Sequence, residues 1–131
     1  MRLEYRLNDE TKGYPALWNY TNISNSEIIA RMTCEYFIKD KNTYVVTATS
    51  VDPDGTVVIY IQQETFSNDP SDPTYFHIGF EIRELKDTSS NLIESKDVWN
   101  YEEIFTISSF RYYIYSARRQ AYGVYFRFKG D

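Results

Sequence analysis

The sequence predicts an α+β fold in which a twisted antiparallel β-meander of about six to seven strands curls around one N-terminal amphipathic helix, with a half-barrel or cone-like shape. Three observations predict this class. Apolar residues alternate along several short segments, one early segment has helical spacing, and short turns connect the segments, which favours antiparallel neighbours. The length of 131 residues fits a single domain over residues 1–131.

The first predicted element is a strand. Residues 2–7 alternate between apolar and charged side chains, a period of two that is typical of a half-buried strand. The polar segment that follows contains Gly13 and Pro15. These residues predict a loop over residues 8–22.

A helix is predicted over residues 25–40. Ser24 and Glu27 have the spacing of a capping box, which places the start of the helix here. The residues expected on its apolar face are Ile28, Ile29, Met32, Tyr36 and Phe37. The residues expected on its solvent face are Glu27, Arg31, Glu35 and Lys39.

A hairpin and a further strand are predicted next. The turn Asp52-Pro53-Asp54-Gly55 separates apolar runs at 44–51 and 56–63, and its Pro and Gly suit a bulged hairpin turn. A polar loop is expected over 64–73, and alternation returns over 74–85. The side chains expected inward are Phe76, Ile78, Phe80 and Ile82, and those expected outward are Tyr75, His77, Gly79, Glu81 and Arg83.

The C-terminal third is predicted to end in a hairpin. Residues 92–101 fit either a short strand or an irregular edge, and residues 103–116 and 121–129 are predicted as the last two strands. The side chains expected inward are Phe110, Tyr112, Ile114, Val124, Phe126 and Phe128, and those expected outward are Arg111, Tyr113, Tyr115, Tyr125 and Arg127.

The outward face of this last hairpin is the predicted functional surface. Solvated sheet faces are usually polar, whereas Tyr and Arg are enriched at protein interfaces and in their hot spots. The residues expected to bind are Arg111, Tyr113, Tyr115, Arg118, Arg119, Tyr125 and Arg127. The sequence therefore favours a non-catalytic protein-interaction module, such as an inhibitor, an immunity-type protein or a phage accessory protein, that binds a partner protein or a second copy of itself.

Charge and cysteine content narrow the class of partner. The net charge is −5, and residues 108–131 carry five cations against one carboxylate, which leaves −9 for residues 1–107. An acidic body favours a basic protein partner and weakens the case for general nucleic-acid binding. A single cysteine, Cys34, and a charged N-terminus without a long apolar run predict a cytoplasmic protein that does not contact a membrane.

Three alternatives remain open. In the first, the aromatic face is covered within the monomer; in the second, residues 111–127 bind RNA or single-stranded DNA. In the third, a small ligand binds between helix and sheet, in a pocket lined by Trp18, Met32, Tyr36, His77 and Trp99. No catalytic set, metal or cofactor is expected, because His77 is the single histidine and its same-face neighbour Glu81 lies about 13 Å along the strand.

Overall fold

The structure is a computed structural model that describes residues 1–65, 74–85, 89–107 and 122–128. In the last range it describes the backbone throughout and the side chain of Tyr125. Most described residues belong to one sheet that curls into a half-barrel, with few helices. Its strands are β1 (Leu3–Leu7), β2 (Ala16–Tyr20), β3 (Tyr36–Lys39), β4 (Asn42–Val51), β5 (Val57–Glu64), β6 (Ile78–Leu85), β7 (Ser90–Val98) and β8 (Tyr122–Phe128). Its helices are α1 (Asn25–Thr33) and two 3-10 helices, Glu10–Lys12 and Tyr101–Thr106.

The strand order of the described sheet is β2-β1-β5-β4-β3-β8-β6-β7. Most neighbours are antiparallel, but β1 pairs with β5 in parallel and so does β3 with β8. The prediction of a simple antiparallel meander of six to seven strands was therefore wrong in connectivity and in number. Parallel neighbours need long crossover connections, and the chain supplies them by returning to the sheet after several intervening elements.

Helix α1 begins as predicted and ends early. The Ser24 hydroxyl oxygen accepts a hydrogen bond from the backbone N–H of Glu27 at 3.1 Å, which confirms the predicted cap. The helix ends at Thr33, and Tyr36–Lys39 forms β3 instead of its last turn. In a strand, consecutive aromatic and β-branched side chains reach both faces of the sheet, and the first three side chains of β3 are all buried.

The buried side of α1 also differs from the prediction. Ile29 and Met32, expected inward, are exposed, whereas Arg31, expected in solvent, is buried. Ile28 and Ala30 are buried in the core. Two residues expected on the apolar face of the helix, Tyr36 and Phe37, belong to β3 instead. The helix therefore buries the side that carries Arg31, which contacts a carboxylate and several tyrosine rings.

Two tight hairpins follow α1. Between β3 and β4, Asp40 and Lys41 have φ angles of 52° and 66°, as a two-residue type I′ turn requires. Between β4 and β5, Gly55 has a φ of 87° and donates its N–H to the carbonyl of Asp52 at 2.9 Å. The second hairpin confirms the predicted turn and both predicted strands.

The inner face of the sheet carries the main core. Phe80 and Ile82 of β6 are buried there with Ile59 and Ile61 of β5, which confirms the predicted inward direction of Phe80 and Ile82. The core also takes in α1 and the second 3-10 helix. Phe76, expected on the same inward face, is exposed because it precedes β6.

The outer face of the sheet is buried as well, over β3, β6 and β8. Glu81 and Arg83 were expected in solvent and are buried, and the Tyr125 ring is 1% exposed. Tyr125 stacks on Tyr36 with ring centroids 4.7 Å apart. The prediction of a solvated outer face was therefore wrong at these residues.

Tyr75 and Gly79 were also expected in solvent and are buried. The Tyr75 ring lies directly over the Gly79 backbone, at a place where any β-carbon would collide with it. The Tyr75 hydroxyl donates to Glu81 at 2.5 Å. The absent side chain of Gly79 thus makes room for a tyrosine that helps to satisfy a buried carboxylate.

Three further segments differ from the prediction. Strand β2 lies within the predicted loop over residues 8–22 and pairs with β1. Strand β7 corresponds to the strand alternative for 92–101, but it begins at Ser90, ends at Val98 and has a register shift against β6, at the edge of the described sheet. The second 3-10 helix occupies the start of the predicted strand 103–116, whose remainder beyond residue 107 lies outside the described residues, as do 66–73 of the predicted polar loop.

None of the helices in the described ranges combines the length and the apolar character that crossing a bilayer requires.

Candidate binding cleft

A cleft of about 400 Å³ lies between the start of α1 and the second 3-10 helix, beside the first residue of β6. Two helix starts meet there. Ser24 caps α1, and the Asn100 side chain caps the 3-10 helix by accepting the N–H of Glu103 at 3.2 Å. The described residues that line the cleft are Ser24, Ser26, Glu27, Ile78, Trp99, Asn100, Tyr101 and Glu102.

Two strongly exposed aromatic side chains belong to this region, and one of them lines the cleft. Trp99, which lines it, is 72% exposed, and Phe76, which comes two residues before the lining residue Ile78, is 78% exposed. The imidazole of His77 packs against the Trp99 ring with centroids 3.8 Å apart. The contact covers part of the indole and leaves most of it in solvent.

Asp97 holds this corner in place. Its carboxylate accepts the backbone N–H of Phe76 at 2.6 Å and that of His77 at 3.1 Å, and lies 3.2 Å from His77 Nδ1. Partial burial raises the pKa of Asp97, but these hydrogen bonds outweigh it and hold the pKa below its usual value. The loop that carries Phe76 is therefore fastened to the end of β7, next to Trp99.

Two residues that line the cleft, Glu27 and Tyr101, contact the buried cation of Arg31. Arg31 Nε donates to Glu27 at 2.9 Å, and Arg31 Nη1 donates to the Tyr5 hydroxyl at 3.0 Å. The guanidinium carbon lies 4.6 Å from the ring centroid of Tyr20 and 5.8 Å from that of Tyr101. Burial raises the pKa of Tyr5 to about 12, although the Arg31 charge opposes this rise.

Of the two acids that line the cleft, Glu102 is the one that has no ion pair with a described Lys or Arg. Its Oε1 accepts the Ser26 hydroxyl at 3.3 Å, and within the described ranges Oε2 accepts no hydrogen bond. Glu27, the other acid of the lining, is already paired with Arg31. Among the described lining residues there is no Lys or Arg, so the open part of the cleft has negative charge.

The structure brings two of the five predicted pocket residues together, His77 and Trp99. Trp18 packs instead against core aromatics, with its ring 5.2 Å from that of Tyr44. Met32 is exposed on α1, and Tyr36 lies on the outer face of the sheet. The predicted pocket does not exist as one site, although a cleft lies next to its His77–Trp99 part.

The predicted interface falls mostly on residues that the structure does not describe. Tyr125 is buried, so its expected position in solvent was wrong. The backbone of Arg127 pairs with Gly79 and Ile38, and its side chain lies outside the described residues. Also outside them are Arg111, Tyr113, Tyr115, Arg118 and Arg119, and the inward set Phe110, Tyr112 and Ile114; of Val124, Phe126 and Phe128 the backbone alone is described.

Sequence reasoning missed Ser26, Asp97 and Glu102. One signal was present, because Asn100 and Glu103 have the spacing of a capped helix start, like Ser24 and Glu27. This signal marks the start of a second helix and contradicts a strand that begins at residue 103. The pairing of the two helix starts is a tertiary contact that no local pattern shows.

Comparison of the chain with protein-family models, with curated proteins and with solved structures found no match.

The chemistry open to the cleft follows from its side chains. The His77–Asp97 contact orients the imidazole, as in general-base pairs, but no described hydroxyl or thiol hydrogen-bonds to His77. Among the described residues no group of three His, Cys, Asp or Glu side chains has the arrangement of a metal site. The arrangement of exposed indole and open carboxylate is suited to binding.

Proposed function

We propose that this protein is a non-catalytic interaction module that binds a partner protein through the surface around Trp99 and Phe76. The observation that carries the proposal is the exposure of these two large aromatic side chains on one corner of the molecule, 72% and 78% respectively. Aromatic residues dominate the binding energy of protein interfaces when a partner removes them from water.

The corner is fastened before a partner arrives. Asp97 fixes the backbone at Phe76 and His77 with two hydrogen bonds, and His77 packs on Trp99. A side chain that is already held in place loses less conformational entropy on binding. This supports a role as an anchor for Trp99, and the fixed backbone at Phe76 supports a defined position for the second aromatic residue.

Net charge supports a basic partner. Residues 1–107, which include the whole cleft, carry a net charge of −9 within a chain of net charge −5. Complementary charge steers encounter and excludes acidic partners. The C-terminal arginine and tyrosine residues are retained in the proposal as a second contact region, in a cytoplasmic setting: Arg111, Tyr113, Tyr115, Arg118, Arg119 and Arg127.

Peptide selection tests this function. The full chain is used to select binders from a random-peptide display library, and the selected peptides are titrated by calorimetry. Trp99→Ala is expected to lower affinity about 30-fold, with a smaller loss for Phe76→Ala. The control is Tyr14→Ala, another exposed aromatic residue that lies before β2. Equal loss in Tyr14→Ala, or no loss in Trp99→Ala, contradicts the proposal.

Self-association is distinguished by light scattering. A partner distinct from the chain predicts a monomer of 15.6 kDa. A dimer that Trp99→Ala dissociates identifies a second copy as the occupant of this surface and overturns the proposal of a basic partner.

A small ligand is the second candidate. The cleft volume of about 400 Å³ falls within the range of small-molecule sites. Screening of a fragment library by chemical-shift mapping tests this. Saturable shifts confined to Ile78, Asn100 and Tyr101 favour the ligand-binding function, whereas no shifts at millimolar fragment exclude it.

A further inference from the structure

The Glu102 side chain lies where a cation could reach Trp99 at the same time. Glu102 lines the cleft, is exposed, and belongs to the same short segment as Trp99. Its Oε1 accepts the Ser26 hydroxyl at 3.3 Å, and within the described ranges Oε2 is left for another donor. The face of an indole attracts a cation, and a carboxylate that accepts the hydrogen bonds of the same cation adds a second favourable interaction.

An anion does not fit the same cleft. The start of α1 favours negative charge, but Ser24 already accepts the N–H of Glu27, and Glu102 is the carboxylate that lies against this helix start. A second anion would meet both Glu27 and Glu102. The charge of the lining therefore selects a positively charged group.

We infer that the cleft binds an arginine side chain of the partner protein, with its guanidinium on the open face of Trp99 and hydrogen-bonded to Glu102. This inference deepens the proposed function and rests on it. Arginine fits better than lysine, because a planar guanidinium stacks on an aromatic ring and keeps donors at its edge for a carboxylate. Glu27 stays with the buried Arg31, so Glu102 is the acid that receives the ligand.

Fluorescence of a single tryptophan tests the site. The chain has two tryptophans, so Trp18→Phe leaves Trp99 as the reporter. The probes are a blocked hexa-arginine peptide and its hexa-citrulline counterpart, which has the same shape without charge. The arginine peptide is expected to change Trp99 emission in a saturable way, at least tenfold more tightly than the citrulline peptide, and less tightly as salt is added.

Two matched substitutions separate the site from the general charge of the protein. Glu102→Gln is expected to weaken binding about fivefold, whereas Glu84→Gln is expected to change it less than about twofold. Glu84 is exposed and lies six residues from Ile78 on β6, about 20 Å away. Trp99→Leu keeps an apolar side chain without the ring, and calorimetry is expected to show at least a fivefold loss.

Each contrary result has a defined meaning. Equal binding of the two peptides, or equal loss in Glu102→Gln and Glu84→Gln, overturns the arginine site. If selected library peptides lose affinity in Trp99→Ala but contain no arginine and bind Glu102→Gln normally, the proposed interaction surface stands and the arginine site does not. If hexa-arginine binds at Glu102 while no library peptide depends on Trp99, the site stands as a cation site and the proposed function fails.

Discussion

Two buried arginines, one on each face of the sheet, have different partners. Arg31, in the inner core, pairs with Glu27 at 2.9 Å, and the Glu27 side chain stays 21% exposed at the cleft. Arg83, on the outer face, pairs with Glu81 at the same distance, and the Glu81 side chain is 0% exposed. The first carboxylate keeps access to water and the second has none.

Tyrosines complete both sites. Tyr5 accepts a hydrogen bond from Arg31, and on the outer face Tyr75 donates one to Glu81. The Arg83 guanidinium carbon lies 5.7 Å from the ring centroid of Tyr125. The difference therefore predicts how much stability is lost when each arginine is removed. The loss depends on whether water can reach the carboxylate that remains. A carboxylate that water can hydrate loses its cation at little cost in the free energy of unfolding, whereas the same loss at a fully buried carboxylate costs several kcal/mol.

The largest expected effect is that of Arg83→Met. The substitution removes the guanidinium that donates to the fully buried Glu81 carboxylate, and the free energy of unfolding is expected to fall by about 3–5 kcal/mol. Urea denaturation followed by circular dichroism measures this. The control Glu84→Gln, at an exposed residue near the end of the same strand, is expected to stay within about 0.5 kcal/mol of the parent.

A double substitution checks the cause of that loss. Glu81→Leu combined with Arg83→Met removes both charges, and replacing a buried pair with apolar side chains is often close to neutral. The double variant is expected to regain most of the lost stability. If it is as unstable as Arg83→Met alone, lost packing explains the effect and the charge argument is wrong.

Arg31→Met is expected to cost less, about 2 kcal/mol, because Glu27 can hydrate while the Tyr5 hydroxyl loses its donor. The same denaturation series gives the comparison. A loss equal to or larger than that of Arg83→Met would show that exposure of the partner acid does not control the cost. Calorimetry with the hexa-arginine peptide also shows whether the freed Glu27 strengthens cation binding in the cleft.

Local sequence patterns predict some elements of this fold and not others. The β4–β5 hairpin was predictable because turn chemistry is local: Gly55 and Pro53 fix it wherever the hairpin lies. The start of α1 was predictable for the same reason, since Ser24 satisfies an N–H three residues away. Its end was not, because helical and strand spacing both suited Tyr36 and Phe37, and tertiary pairing decided between them.

The outer face of the sheet and the candidate cleft were each predictable in part. Alternation placed Glu81, Arg83 and Tyr125 on one face, and the structure keeps them there. The error lay in assuming that a sheet face with charged side chains is exposed to solvent. A sequence pattern predicts the face of the sheet on which a residue lies, but it does not predict whether another part of the protein covers that face. In the cleft, Trp99 and His77 were predicted as binding residues and Glu102 was not. The role of Glu102 depends on its contact with Ser26, which is distant in the sequence.

A third carboxylate, Glu35, extends the comparison to an acid that forms no ion pair with any arginine of the described residues. Burial raises the pKa of Glu35 from 4.5 to about 7, and the nearby charge of Glu64 adds to the rise. The unfolded chain therefore releases this proton near pH 4.5 and the folded chain near pH 7. Between these values the folded state binds more protons, so the contribution of Glu35 to stability is lost as pH rises.

Glu35→Gln gives the smallest of the expected effects. The parent is expected to lose about 1 kcal/mol more stability than the variant between pH 5 and pH 8, a value reduced for the solvent that reaches this partly exposed group. Urea denaturation of both proteins at the two pH values measures the difference, and Glu84→Gln again serves as the charge control. Identical pH dependence in the parent and Glu35→Gln would show that Glu35 is ionised in the folded protein at pH 5. In that case an acid half-covered by the sheet would need no arginine, and complete burial alone would explain why Glu81 has one.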